Sequence, residues 1–212
     1  MFIDQVLYPV EALGPGKRIG IWVVGCHRGC LGCSNPELWS TENRESVSVA
    51  NLVQVISAIC EENQVDGFTI SGGEPMNQPE ELLELVEKLS SFSQDILVFS
   101  GYTYEELLDS EDKAQVLDYI AVLVDGPYIQ ENNQRLVLRG STNQRILLFE
   151  PELEAKYLEY LGQKQSSIQN LHFEDETISI GIHERNFSEE ITRKLREYGI
   201  RSTIYGADEV AQ

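Results

Sequence analysis

Cys26, Cys30 and Cys33 fall within eight positions of one another, in the run Gly25-Cys-His-Arg-Gly-Cys-Leu-Gly-Cys-Ser34. Three soft thiolates on one short, glycine-punctuated loop suit a 4Fe-4S cluster in which one iron has no protein ligand. That vacant iron implies a non-protein ligand and is where chemistry would occur. Zinc is an alternative but needs a fourth donor. His27 adjoins Cys26 and would project away from a metal held there, while Cys60 lies on the apolar stripe of a helix. A regulatory disulfide is the other alternative, although a Cys-x2-Cys redox pair needs no third cysteine upstream. Cys60 itself reads as a core residue.

The cysteine loop needs a rigid base, and the sequence supplies one. Residues 19–24, Ile-Gly-Ile-Trp-Val-Val, form a β-branched apolar run that predicts a buried strand leading straight into the loop. Val49, Leu52, Val53, Ile56, Ile59 and Cys60 recur at helical spacing and predict an amphipathic helix over 48–62. A strand over 66–70 then ends in Ser71-Gly-Gly-Glu-Pro75. Pro79, Glu80 and Glu81 mark the first turn of a helix that turns Leu82, Leu83, Leu85, Val86 and Leu89 inward. A strand over 96–99 leads through Ser100-Gly101-Tyr102 to a short helix over 103–108, and a strand over 119–124 runs into Asp125-Gly126-Pro127.

Such alternation predicts parallel βαβ units, with helices outside the sheet and ligands at the carboxyl ends of the strands. The cysteine loop, the Gly-Gly-Glu loop, Ser100-Gly101-Tyr102 and Asp125-Gly126 should therefore share one rim. Beyond residue 149 the pattern changes: a helix over 151–161, a polar linker over 163–170, then a strand (177–182), a helix (188–198) and a strand (200–205). The expected division is a core over 1–161 and an appendage over 162–212.

The chain has 16 Lys and Arg against 35 Asp and Glu, a formal charge of −19, and no basic block. That surface repels phosphate backbones and anionic lipid, which argues against nucleic-acid binding. No apolar run approaches the ~20 residues that cross a bilayer, and residues 1–10 do not read as a signal segment. A reducing cytoplasmic setting follows.

The Gly-Gly-Glu run offers backbone groups with no Cβ in the way, plus one carboxylate, which suits an ammonium or amino-acid headgroup. Alone it reads as an ordinary strand-to-helix turn, but one βα unit after the cysteine triad it says more. Cys-x3-Cys-x2-Cys after one strand and Gly-Gly-Glu-Pro after the next resemble the radical S-adenosylmethionine (SAM) superfamily. Further features narrow the resemblance: Gly32, Asn35, Trp39, Ser100-Gly-Tyr-Thr-Tyr-Glu-Glu-Leu107, Val124-Asp-Gly-Pro-Tyr128 and Arg139-Gly-Ser-Thr-Asn-Gln-Arg145. Over roughly residues 1–149 the chain is similar to the activases of anaerobic ribonucleoside-triphosphate reductase, which install a glycyl radical. Ser34 stands where that family carries an aromatic residue, and the segment after 149 runs past its usual end.

The resemblance implies an α/β fold, a partial β/α barrel with mostly parallel strands, here followed by a small C-terminal α+β appendage. It makes Cys26, Cys30 and Cys33 the iron ligands. It assigns the SAM amino group to Gly72, Gly73 and Glu74, and the cofactor lining to Ser100, Gly101, Tyr102, Asp125 and Gly126. It implies a glycyl-radical reductase as partner and an electron donor such as flavodoxin or ferredoxin, with no catalytic acid or base. Two other functions fit the same residues: radical modification of a different protein or peptide, and a metal-stabilised binding module without turnover. Arg139, Asn143, Gln144 and Arg145 read as a solvated strand edge or as contacts to partner or cofactor. His172 and His183 read as surface or packing residues. Trp22 and Trp39 read as core, Trp39 also as a shield for the cluster.

Overall fold

The computed structural model describes residues 1–163, 167–174 and 176–199. Six strands form the main sheet in chain order: β1 (Ile3–Val10), β2 (Arg18–Val23), β3 (Gly67–Gly72), β4 (Ile96–Phe99), β5 (Val122–Asp125) and β6 (Arg145–Leu148). β2 to β5 are mutually parallel, while the edge strands β1 and β6 run antiparallel to their neighbours. The fold is therefore mixed α/β with a mostly parallel central sheet.

The inner strands are apolar on both faces because both are covered. Ile19, Ile21, Val23, Phe68, Ile70, Ile96, Val98 and Leu123 pack against α1 (Val49–Glu62), α2 (Pro79–Leu89), α3 (Tyr104–Leu108) and α4 (Glu111–Val116). The N-cap of α1 is Ser48, whose hydroxyl accepts from Asn51 N at 3.2 Å, and the helix buries Val49, Leu52 and Ile56. Pro79 opens α2, which carries Glu80 and Glu81 in its first turn and Lys88 in its last, an arrangement that complements the helix dipole. Leu82, Leu85, Val86 and Leu89 are fully buried, and truncating any one of these leucines to alanine should cost about 2–5 kcal/mol.

The opposite face carries α5 (Glu154–Leu161), whose Tyr157 and Tyr160 pack on Leu97, Val122 and Val124. A Cβ on Gly20 would lie 2.5 Å from the Trp22 ring, which folds back over it, so any larger residue would force that ring to shift. Under the amino ends of the strands sits a buried polar knot. Arg18, with no exposed surface, donates to Thr69 Oγ1 (2.7 Å), Phe68 O (2.6 Å) and Asp95 Oδ1 (3.0 Å). Asp95 also accepts from Lys156 Nζ (2.7 Å) and Tyr157 OH (2.6 Å), which bolts α5 to the sheet.

Three expectations change. The strand expected over 119–124 begins at Val122, because Leu117–Tyr119 closes a 3-10 turn first. Strands β1 and β6 are additions: β1 mixes polar residues and Pro9 into an edge, and β6 is four residues long. The polar linker over 163–170 gives way at Ile168 to β7 (Ile168–His172), which pairs antiparallel with β8 (Thr177–Gly181) and precedes α6 (Phe187–Glu197). The strand expected over 200–205 lies outside the described residues.

The β7–β8 hairpin packs Leu171, Ile178, Ile180 and Ile182 against Val10, Leu13, Trp22 and Leu38. Gln169 fixes it to the end of β1 by donating to Pro9 O (2.7 Å) and accepting from Glu11 N (2.9 Å). Among the described residues no helix is long and apolar enough to cross a membrane.

Candidate active site at the carboxyl rim of the sheet

The loop after β2 is tied at entry and exit. Gly25 N donates to Leu38 O (2.8 Å) and Cys26 N to Trp39 O (2.9 Å), so the residues between form a closed excursion. Within it Gly25, Gly29 and Gly32 adopt positive φ, the left-handed turns that let three cysteines fit on so short a path. All four cysteines are free thiols. Burial raises the Cys26 thiol above its ordinary value, against the lowering effect of backbone N–H groups at Arg28 and Gly29. Burial likewise raises Cys33, against the Asn35 N–H and the Trp39 indole. Metal binding would displace these protons, since the thiolate is the ligand form.

Among the described residues no group of three or more His, Cys, Asp and Glu side chains is arranged to hold a metal ion. A cubane does not require its thiolates to meet at one atom, because each binds a different iron. Three thiols on a glycine-rich loop fit that group by donor chemistry. Cys60 is half-buried on α1 against the core, as the sequence reading expects. His172 pairs with Thr177 (3.0 Å), and His183 pairs with Ser179 (2.8 Å) and stacks on Phe187.

The loop after β3 is bonded directly to the cysteine loop. Gly73 N donates to Val23 O (2.7 Å) and Glu74 N to Gly25 O (2.8 Å). A Cβ on Gly73 would lie 2.6 Å from Gly25 O, so this approach excludes every other residue. Glu74 is 1% exposed, and its carboxylate is occupied by the protein itself. It accepts from Met76 N (3.0 Å), Ser100 Oγ (2.9 Å) and Gly101 N (2.6 Å), joining the loops after β3 and β4. Burial raises its pKa above the usual carboxylate value, opposed by those donors and by the nearby Arg28 charge.

Arg28, between Cys26 and Cys30, completes the link. It lies 4.5 Å over the Tyr102 ring and donates to Gly101 O and to Glu106 Oε2 (3.4 Å). Tyr102 OH donates to Asn77 Oδ1 (3.0 Å). Gly126 N donates to Tyr102 O (2.9 Å), bringing in the loop after β5. Asp125, 1% exposed, accepts from Tyr104 N (2.7 Å) and from Arg145, which also pairs with Glu105.

All eleven residues singled out from the sequence thus occupy one hydrogen-bonded rim. Sequence reading missed Arg28 as the tie between loops, since nothing in Cys-His-Arg-Gly-Cys says which strand end it reaches. It also left open the role of the run ending at Arg145. Gln144 accepts from Gly140 N (2.8 Å) and donates to Gly126 O (2.9 Å), and Asn143 donates to Pro127 O (2.8 Å). The run is a latch holding the β5–β6 connection.

A family model described as a 4Fe-4S single cluster domain matches residues 12–147. The anaerobic ribonucleoside-triphosphate reductase-activating protein of Vibrio cholerae is 36% identical over 150 residues, which are 67% of this chain and 95% of the relative. The protein of that name from Escherichia coli K12 is 35% identical over 145 residues (65% and 92%), and that from Enterobacteria phage T4 31% over 145 (66% and 90%). With the cluster-domain match spanning its cysteine rim and such identities covering nearly the whole of these relatives, the chain belongs to the family of anaerobic ribonucleoside-triphosphate reductase-activating proteins.

Proposed function

We propose that this protein is a radical SAM activase that holds a 4Fe-4S cluster on Cys26, Cys30 and Cys33 and installs a glycyl radical on an anaerobic ribonucleoside-triphosphate reductase. The relatives are named for activating that reductase, and the matched family model is a cluster domain. The observation that carries the assignment to this site is the direct bonding of the Gly-Gly-Glu loop to the cysteine loop, through Glu74 N to Gly25 O and Gly73 N to Val23 O.

Cys26, Cys30 and Cys33 would hold the cluster, which would supply the one-electron reduction of SAM from which a glycyl radical can be made. The chain's own residues bind and orient. Gly72 and Gly73 present backbone to the SAM ammonium, Gly73 tied by its N–H to Val23 O, while the Glu74 carboxylate braces the loop after β3 against the loop after β4. Ser100, Gly101 and Tyr102 form the next wall, kept in register by Glu74 and Arg28. Asp125 and Gly126 close the far side, with Asp125 holding the first turn of α3 rather than facing a ligand. The sequential order of β2 to β5, with α1 to α4 packed on one face, supports a partial β/α barrel that leaves the rim open to a partner. The free thiols suit a reducing cytoplasm, where flavodoxin or ferredoxin would deliver the electron.

The test is anoxic reconstitution with iron and sulfide, then dithionite and SAM. A brown protein that forms 5′-deoxyadenosine, and a glycyl doublet in electron paramagnetic resonance once an anaerobic reductase is added, are expected. Alanine at Cys26, Cys30 or Cys33 should abolish cluster uptake, and Cys60→Ser should not. A colourless wild type defeats the proposal. A loaded cluster without 5′-deoxyadenosine points to a binding module, and 5′-deoxyadenosine without a doublet points to another target.

A further inference from the structure

The connection between β5 and β6 crosses the rim as a strap and meets the cysteine loop at Gly32. That glycine turns at φ +70° between Cys30 and Cys33, where Cys33 N donates to Cys30 O (3.2 Å). The Gln130 side chain lies on the turn: a Cβ at position 32 would fall 2.6 Å from Gln130 Cδ and 2.8 Å from its Nε2. Gln130 opens the 3-10 turn Gln130–Asn132, which is pinned by Ile129 N donating to Ser141 Oγ (3.1 Å) and Thr142 N to Asn132 O (3.0 Å). Asn133 then ties the strap to the C-terminal hairpin. Its Nδ2 donates to Tyr128 OH (3.1 Å) and to His183 O (3.0 Å), just past β8, while its Oδ1 accepts from Arg135 N (3.1 Å). Arg135 pairs with Glu184 beside it. The same hairpin supports the cysteine loop from below, since Ile178, Ile180 and Ile182 pack in one cluster with Leu38, whose carbonyl accepts Gly25 N. All of this hairpin follows residue 147, where the matched cluster domain ends. Glycines lose more backbone freedom on ordering than other residues, so a turn containing Gly29 and Gly32 opens readily unless something outside it holds it.

We propose that Gln130 is a positioning residue for the Cys30–Cys33 turn and that the C-terminal hairpin, through Asn133, holds it there. The extension past the cluster domain is then a clamp on the cysteine loop, gripping its floor at Leu38 and its cover at Gly32. The clamp needs no iron, whereas its consequence for the cluster, slower loss of iron, rests on the assignment of Cys26, Cys30 and Cys33 made above.

Amide hydrogen exchange on the reduced, metal-free, full-length chain reads the clamp directly. Asn133→Asp still accepts from Arg135 N and lets Tyr128 OH donate to it, but sets an oxygen against His183 O. It should speed exchange over residues 30–35 about two- to tenfold, the factor that one lost hydrogen bond is worth. Gln130→Ala should speed the same amides by no less, and Gln130→Met, of similar length, should restore most of the protection. Adding Asn133→Asp to Gln130→Ala should bring no further change, because both act through one contact. Unchanged exchange in Gln130→Ala, or equal acceleration in α2, overturns the proposal, and additive effects in the double variant overturn the route from the hairpin. After anoxic reconstitution, iron release to a ferrous chelator should rise in the single variants by the same factor as exchange, and release at the wild-type rate overturns the consequence for the cluster. A wild type that takes up no cluster defeats the function proposed above and leaves the exchange result standing.

Discussion

Replacing Glu74 with alanine distinguishes a brace from a ligand group. The carboxylate serves three donors, Met76 N, Ser100 Oγ and Gly101 N, at 3.0, 2.9 and 2.6 Å. Removing it strands the Met76 N–H in a buried site, while the Ser100 hydroxyl can rotate and the half-buried Gly101 N–H can reach water. A stranded buried donor costs about 1–3 kcal/mol and a lost bond to a charged acceptor about 1.5–3, against which stands the relief of no longer burying a carboxylate. The net loss should be about 3 kcal/mol, which for a chain of this size lowers Tm by ~6–12 °C. Glu74→Gln keeps the acceptors on one oxygen and sets an amide N–H against Gly101 N–H, so it should fall between. Thermal unfolding of reduced, metal-free protein by circular dichroism measures this without any contribution from a cluster. Glu74→Ala within about 2 °C of wild type, with SAM binding lost, would refute the brace and make the carboxylate a ligand group only.

Two further predictions concern the ends of the strands. Burial alone would raise Asp95, but Arg18, Lys156 and Tyr157 outweigh it and hold the carboxyl below its ordinary value. Its folded value is therefore lower than the unfolded value of about 3.9, so its stabilisation is complete above that pH and is lost as pH falls through the folded value. Between pH 5 and pH 3 the Tm of wild type should drop more steeply than that of Asp95→Asn, and parallel curves would count against the knot. Arg145→Met removes the ion pair to buried Asp125 and the pair to Glu105. Amide hydrogen exchange should accelerate over residues 103–107 and 125–129 and remain unchanged in α1, whereas uniform acceleration would contradict a local latch.

What the sequence discloses depends on where each instruction is written. Apolar runs such as 19–24 and 96–99 declare buried parallel strands by themselves, and Ser48 and Pro79 declare helix starts. The edge strand β1 does not, because Asp4, Gln5 and Pro9 interrupt its pattern and its ladder depends on β2. β7 is hidden for a similar reason: Gln169 and Asn170 read as linker, and only pairing with β8 and packing on Trp22 make the segment a strand. At the site, residue types and spacing disclose the cysteines and glycines, whose roles are local. The roles of Arg28, Glu74, Gln144 and Arg145 are long-range, set by which loop each side chain crosses to, and no spacing records that.

The polar knot beneath the sheet also fixes what may be cut from this polypeptide. The matched cluster domain stops at residue 147, yet Lys156 and Tyr157, two of the three side chains that neutralise or bond Asp95, come after it. Trimming the gene to the end of the matched domain would leave an anion in the interior with Arg18 as its one side-chain companion among the described residues. Any minimal version of the enzyme must therefore retain α5, and its C-terminal border belongs beyond Leu161.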